Sequence, residues 1–181
     1  LQIHSLERVD DVLAIDMEYF EHGSLADAAR VGVATCSEVV HYAHHILAAL
    51  ACCHDAGVVH RDVKPSNVLL AADGRGILSD FGLARLLMEE QGTAIATATS
   101  SGIFLGTPCY APPEAWDGLD PTPAWDVYSV GMVLYESAAS ARPYSAHTPL
   151  ALVKEMAHKP VPPLHEAAPG VSPELSSVVE K

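Results

Sequence analysis

Four side chains in one stretch could do chemistry together. Asp62 lies five positions before Asn67 with Lys64 between them, in the string His60-Arg61-Asp62-Val63-Lys64-Pro65-Ser66-Asn67, and Asp80 follows at the head of Asp80-Phe81-Gly82. A carboxylate can take or orient a hydroxyl proton, and a nearby ammonium can offset charge on a moving phosphate. An amide oxygen and a second carboxylate are hard ligands of the kind magnesium requires. Alone, an Asp-Lys-Asn cluster could be a turn with a surface ion pair. With the second aspartate at this distance, the set matches the equipment for moving a phosphoryl group.

Positioning these groups requires a framework, and the chain can supply one. Its 181 residues, nearly half of them apolar, suffice for one folded domain. Thr35 with Glu38 reads as a capping box opening a long helix to about Ala56. Val39, Ala43, Ile46, Leu47 and Leu50 recur on one face, and Gly57 sits where a helix stops. Val12 to Met17, Val58-Val59, Val68 to Leu70 and Ile77 to Ser79 are strand candidates, with Asp73-Gly74 as the turn between the last two. Further helices are expected over Leu25 to Val31, Ala124 to Ala139 and Pro149 to Ala157, with a last one capped by Ser172. Met88 to Gly102 reads as a loop, and Lys159 to Pro173 as irregular.

The net charge of −13 argues against nucleic acid and against anionic membrane surfaces as partners. Cys36, Cys52, Cys53 and Cys109 form no CxxC pair and read as reduced, mostly buried thiols. His41 and His45 lie four apart on the long helix, but no carboxylate or cysteine is spaced to complete a zinc site. No apolar run reaches membrane-spanning length, and no signal peptide is visible.

The motifs resemble those of eukaryotic-type (Hanks-type) serine/threonine protein kinases. The fold implied is α+β and protein kinase-like: mainly the α-helical large lobe, with the last strands of the small lobe. The likeness divides the chain into the end of the small lobe at 1–17, a hinge at 18–24, and a large lobe at 25–181 that stops short of its last helices. By the resemblance Asp62 is the catalytic acid, and Lys64 with Pro65 marks the serine/threonine branch. Asn67 and Asp80 are the magnesium ligands.

Gly106-Thr107-Pro108-Cys109-Tyr110 looks like the loop that receives the substrate, with Thr107 bonded to Asp62 and Lys64. Pro112-Pro113-Glu114 stands where the family has Ala-Pro-Glu, so a proline replaces the alanine and removes a backbone donor. Asp126 is similar to the buried helix aspartate that holds the catalytic loop. Its alternative is an acid favoured by the helix dipole. Met17 would stand beside the adenine of ATP, Glu18 and Phe20 would belong to the hinge, and Leu69 would lie under the ring. His60 would stack on Phe81. Arg61 would pair with a phosphate carried by Thr97, Thr99, Ser100 or Ser101. Leu83, just after Gly82, points to serine as acceptor.

The glycine-rich loop, the strand lysine and its partner glutamate of such kinases have no counterpart here, nor does the arginine that would pair with Glu114. The resemblance therefore implies ATP- and Mg²⁺-dependent transfer to serine or threonine of protein substrates, including the chain's own loop. The fragment alone is expected to be inactive. The alternative is a non-catalytic lobe that binds substrates or partners. The sequence style points to a bacterial, cytoplasmic catalytic domain, with any tether to the inner membrane lying outside this chain.

Overall fold

The computed structural model describes residues 1–10, 12–32, 34–81, 107–117 and 119–180. Its strands are β1 (Ile3–Val9), β2 (Val12–Met17), β3 (Val68–Leu70) and β4 (Gly76–Leu78). Its helices are α1 (Leu25–Ala29), α2 (Cys36–Asp55), α3 (Pro123–Ala139), α4 (Pro149–His158), α5 (Leu164–Ala167) and α6 (Pro173–Val179). Three short 3-10 turns, Pro65–Asn67, Pro108–Tyr110 and Pro113–Asp117, each begin on proline, whose fixed φ prepares the first helical position.

Helix α2 starts where its capping box dictates. The Thr35 hydroxyl accepts from the Glu38 N–H at 3.3 Å, and the Thr35 N–H donates to the Glu38 carboxylate at 2.8 Å. It ends at Gly57, whose φ of +75° a side chain would disfavour. Val39, Ile46 and Leu50 on its inner face are buried, and α2 packs against α3 and β4. Val63, Val68, Leu78, Val130, Val133, Tyr135 and Leu164 complete this core. Met132, Tyr144, Leu152 and Met156 form a second cluster between α3 and α4.

The β3–β4 ribbon is antiparallel, pairing Leu69 with Ile77 across the turn at Asp73 and Gly74. The Asp73 carboxylate accepts from the Arg75 N–H, the local bond that favours aspartate in such turns. β1 and β2 form a separate hairpin, and Ile3, Leu6, Val9 and Val12 on it are exposed.

Several expectations are corrected. Val58-Val59 forms no strand; Val58 is exposed, and its N–H instead closes the end of α2 by bonding to the Cys53 carbonyl. Leu47 is exposed, because the buried stripe at 39, 46 and 50 turns past it. Helix α1 stops at Ala29 rather than Val31, and a helical turn, α5, interrupts the segment read as irregular. Cys52 is exposed and Cys36, Cys53 and Cys109 are half-buried, so the thiols are not mostly buried. The loop read over Met88 to Gly102 lies outside the described residues, and none of the described helices is long and apolar enough to cross a membrane.

Candidate active site

The segment from His60 to Asn67 links α2 to β3, and two buried groups hold it. Asp126, in the first turn of α3, is fully buried. One of its oxygens, Oδ2, accepts from the His60 N–H at 2.8 Å and from His54 Nε2 at 2.7 Å. The other, Oδ1, accepts from the Arg61 N–H at 2.8 Å. These bonds fasten Arg61 in a left-handed conformation, φ +72°, which non-glycine residues seldom adopt and which is often stored at functional sites.

His60 is the second anchor. Its ring is buried, donates from Nε2 to the Ser79 carbonyl at 2.8 Å, and accepts the Asp62 N–H at Nδ1 at 3.3 Å. It meets Phe81 edge-on at 4.8 Å. One nitrogen donating and the other accepting is the pattern of a neutral imidazole. Burial pushes the His60 pKa below its ordinary 6.5, against the opposing pull of the Ser79 carbonyl and of Asp126, Asp62 and Asp80.

The unfolded chain thus binds this proton more readily than the folded one. The His60 contribution to stability is complete above about pH 6.5 and is lost as pH falls below that value toward the lower folded pKa. Imidazole ¹⁵N NMR should find His60 titrating below 6.5, with the neutral ring carrying its proton on Nε2. A His60 resonance titrating at 6.5 or higher would contradict this.

Around these anchors the polar groups converge. Asp62 Oδ1 accepts from the Thr107 hydroxyl at 2.8 Å, and Oδ2 accepts from Lys64 Nζ at 2.5 Å. Lys64 also donates to the Thr107 oxygen at 3.1 Å, closing a triangle of carboxylate, ammonium and hydroxyl. Asn67 is buried, and its Nδ2 donates to the Asp62 carbonyl at 2.9 Å and to Oδ2 at 3.2 Å. That orientation turns its amide oxygen away from Asp62 and, among the described residues, leaves it a long 3.4 Å contact from the Ser66 hydroxyl.

Asp80 follows Ser79, whose N–H bonds to the Asn67 carbonyl at 2.8 Å, so backbone pairing brings the two segments together. Asp80 is exposed and has φ +62°, a second left-handed non-glycine residue at the site. Asn67 and Asp80 together offer one amide and one carboxylate oxygen. That set fits Mg²⁺, which is commonly held by one or two carboxylates and completes its shell with water and substrate phosphates. Among the described residues no cluster of three or more His, Cys, Asp or Glu could hold a metal by itself.

Other predicted residues lie further out. Leu69, half-buried on β3, bridges to Ser24, and the Leu70 N–H bonds to the Gly23 carbonyl at 2.9 Å. The chain from 18 to 24 is thereby tied to β3. Glu18 and Phe20 line a cavity of about 390 Å³ whose other walls include Ala71, Arg75 and Ile77. Met17, at the end of β2, and Leu69 are not on those walls. Glu114 is half-buried in its 3-10 turn and makes no ion pair among the described residues. Gly82, Leu83, Thr97, Thr99, Ser100, Ser101 and Gly106 lie outside the described residues.

Sequence reading passed over two contributors. His54 was legible: it lies four positions after the buried Leu50, on the inner face of α2. Glu136, which accepts the Tyr110 hydroxyl at 2.6 Å, left no such mark, since nothing in the spacing couples it to Tyr110.

The profile described as protein kinase domain matches residues 2–181. The chain belongs to the protein kinase domain family. It is 36% identical over 164 residues to the serine/threonine-protein kinase PknL of Mycobacterium tuberculosis, covering 90% of this chain and 40% of that protein. It is 32% identical to PknJ of Mycobacterium bovis, over 98% of this chain and 30% of that serine/threonine-protein kinase. The probable serine/threonine-protein kinase pknA2 of Bifidobacterium longum is 30% identical over 99% of this chain and 23% of its own length. The chain thus spans well under half the length of these bacterial relatives. Its few strands and predominance of helix are those of an α+β kinase-like fold.

Proposed function

We propose that this chain is the substrate-handling part of a protein serine/threonine kinase, transferring the γ-phosphoryl group of ATP with Mg²⁺. The observation that carries the reading is the triangle of Asp62, Lys64 and Thr107. It places a proton acceptor, a cation and a positioning hydroxyl at one point. A substrate hydroxyl entering there would hydrogen-bond to Asp62. Its oxygen attacks the γ-phosphorus, its proton passes to the Asp62 carboxylate, and the bond from phosphorus to the ADP oxygen breaks. Lys64 offsets charge on the transferring group. Asn67 and Asp80 would hold Mg²⁺, which neutralises phosphate charge.

The relatives named as serine/threonine kinases support that specificity, and so does the tie of Thr107 to both Asp62 and Lys64. In the same reading residues 1–17 close the small lobe, 18–24 are the hinge, and Met17, Glu18, Phe20 and Leu69 receive the adenine. Arg61 pairs with a phosphate placed on Thr97, Thr99, Ser100 or Ser101 by autophosphorylation, in a cytoplasmic domain.

The test is transfer of labelled phosphate from ATP by the intact protein to peptides that differ only in carrying serine, threonine or tyrosine. Incorporation into serine and threonine, dependent on Mg²⁺, is expected. No incorporation, or incorporation into tyrosine alone, overturns the proposal.

A further inference from the structure

Beside the triangle of Asp62, Lys64 and Thr107 lies an open cavity of about 450 Å³. Its charged and hydroxyl-bearing walls include Arg30, Lys64, Thr107, Tyr110, Glu136 and Arg142. The chain as a whole carries 23 acidic side chains against 10 lysines and arginines. Here the balance reverses, with three cations facing one carboxylate.

These charges are not equally committed. Lys64 is held by Asp62. Glu136 is half-buried and already accepts the Tyr110 hydroxyl. Burial first, and then Glu136, push the Tyr110 hydroxyl above the usual phenol range while Arg142 opposes them. Tyr110 therefore keeps its proton and goes on donating to Glu136. Arg30 is exposed and, among the described residues, its side chain bonds to Asp27 at 3.1 Å, a solvent-facing pair of small strength. Arg142 is exposed and makes no ion pair among the described residues. A basic side chain entering this cavity would meet two guanidinium groups and a carboxylate already in use. An anionic one would meet two planar forks suited to gripping carboxylate or phosphate with paired hydrogen bonds.

We propose that this cavity selects protein substrates bearing an anionic side chain, an aspartate, a glutamate or a phosphorylated residue, close to the acceptor hydroxyl, with Arg30 and Arg142 as the specificity-determining residues. The inference rests on the kinase function proposed above, and its test separates the two.

The intact protein would be assayed on serine peptides in which each flanking position in turn is alanine, aspartate, phosphoserine or arginine. At one or more positions an anion should raise kcat/KM about tenfold over alanine, the scale of two partly screened charge contacts. That ratio should fall toward one in the Arg30→Ala, Arg142→Ala double variant and in high salt, and should persist in part in Arg142→Lys. Response to aspartate identifies a carboxylate reader, and response to phosphoserine alone identifies a reader of substrates phosphorylated beforehand. A preference for arginine, or an anion preference unchanged in the double variant, overturns the proposal.

If no peptide is phosphorylated, the kinase reading fails by itself. Fluorescence anisotropy of labelled peptides with alanine at the acceptor position then decides the cavity's preference. Tighter, salt-sensitive binding of the acidic peptide sustains it, and equal or tighter binding of the basic one ends it.

Discussion

Replacing Asp62 by asparagine should lower phosphoryl transfer by about 10³-fold or more, the scale of a lost proton acceptor compounded by lost positioning, while leaving the fold standing. The carboxylate receives hydrogen on both oxygens: Thr107 donates to Oδ1, and Lys64 and Asn67 donate to Oδ2. Asparagine has the same shape but only one accepting oxygen. Turned so that its oxygen meets Lys64 and Asn67, it presents an NH₂ toward Thr107 and has no site left to take a proton. The substrate hydroxyl then loses its acceptor, and the Thr107 hydroxyl loses its bond.

Stability should change little in this variant. The side chain is about a quarter exposed, at 23%, so water can satisfy what the amide does not. Initial rates at saturating peptide, set beside a urea unfolding curve, check both halves of the expectation. Activity within a fewfold of the parent, in a folded variant, would remove Asp62 from the role assigned to it.

The grouping of Asp62 with Lys64 and Asn67 could be read from the chain because its parts are close in sequence. Asp62, Lys64 and Asn67 share one short loop, and their bonds to one another follow from that proximity. Helices α2 and α6 were legible for a similar reason, since Thr35 with Glu38 and Ser172 with Pro173 act locally. What escaped depends on distant partners or on unusual exposure. β1 reads poorly because its apolar residues Ile3, Leu6 and Val9 recur every third position, while a half-buried strand alternates every second. The strand is exposed and its register shifts between Ile3 and Ser5, so no alternation was needed.

Val58-Val59 failed in the opposite sense. The β-branched pair looks like a strand, but the Val58 N–H is taken by the end of α2. The cysteines were judged by the apolar run around them, yet Cys52 lies two positions past Leu50 and so faces away from the buried stripe. The contact between Tyr110 and Glu136 spans 26 residues and joins a turn to α3, so only folding reveals it.

The largest loss of stability among the site residues is expected from Asp126→Ala. Asp126 is fully buried and accepts three hydrogen bonds, two of them from the backbone N–H groups of His60 and Arg61. Alanine would remove the acceptor from the His60 amide in the interior, and from the Arg61 amide and His54 Nε2 at its partly buried edge. Each buried donor left unpaired costs about 1–3 kcal/mol, and removing one partner of a buried charged network costs about 3–5 kcal/mol in total. Against a domain stability of about 5–15 kcal/mol, that is enough to leave part of the population unfolded.

Asparagine at 126 keeps one accepting oxygen and should lose less. His54→Ala should lose less still, because both backbone bonds survive. The order Asp126→Ala, Asp126→Asn, His54→Ala, read from urea midpoints, separates a backbone anchor from an acid whose benefit is only the helix dipole. In the latter case the two Asp126 variants would differ little and neither would cost more than about 1 kcal/mol. Amide hydrogen exchange adds a local readout: protection at His60 and Arg61 should fall in Asp126→Ala by more than global destabilisation accounts for. Release of those two amides would also free Arg61 from its φ of +72°, and Asp62 is the next residue along the chain. Asp126→Ala should therefore depress transfer even at temperatures where most molecules remain folded.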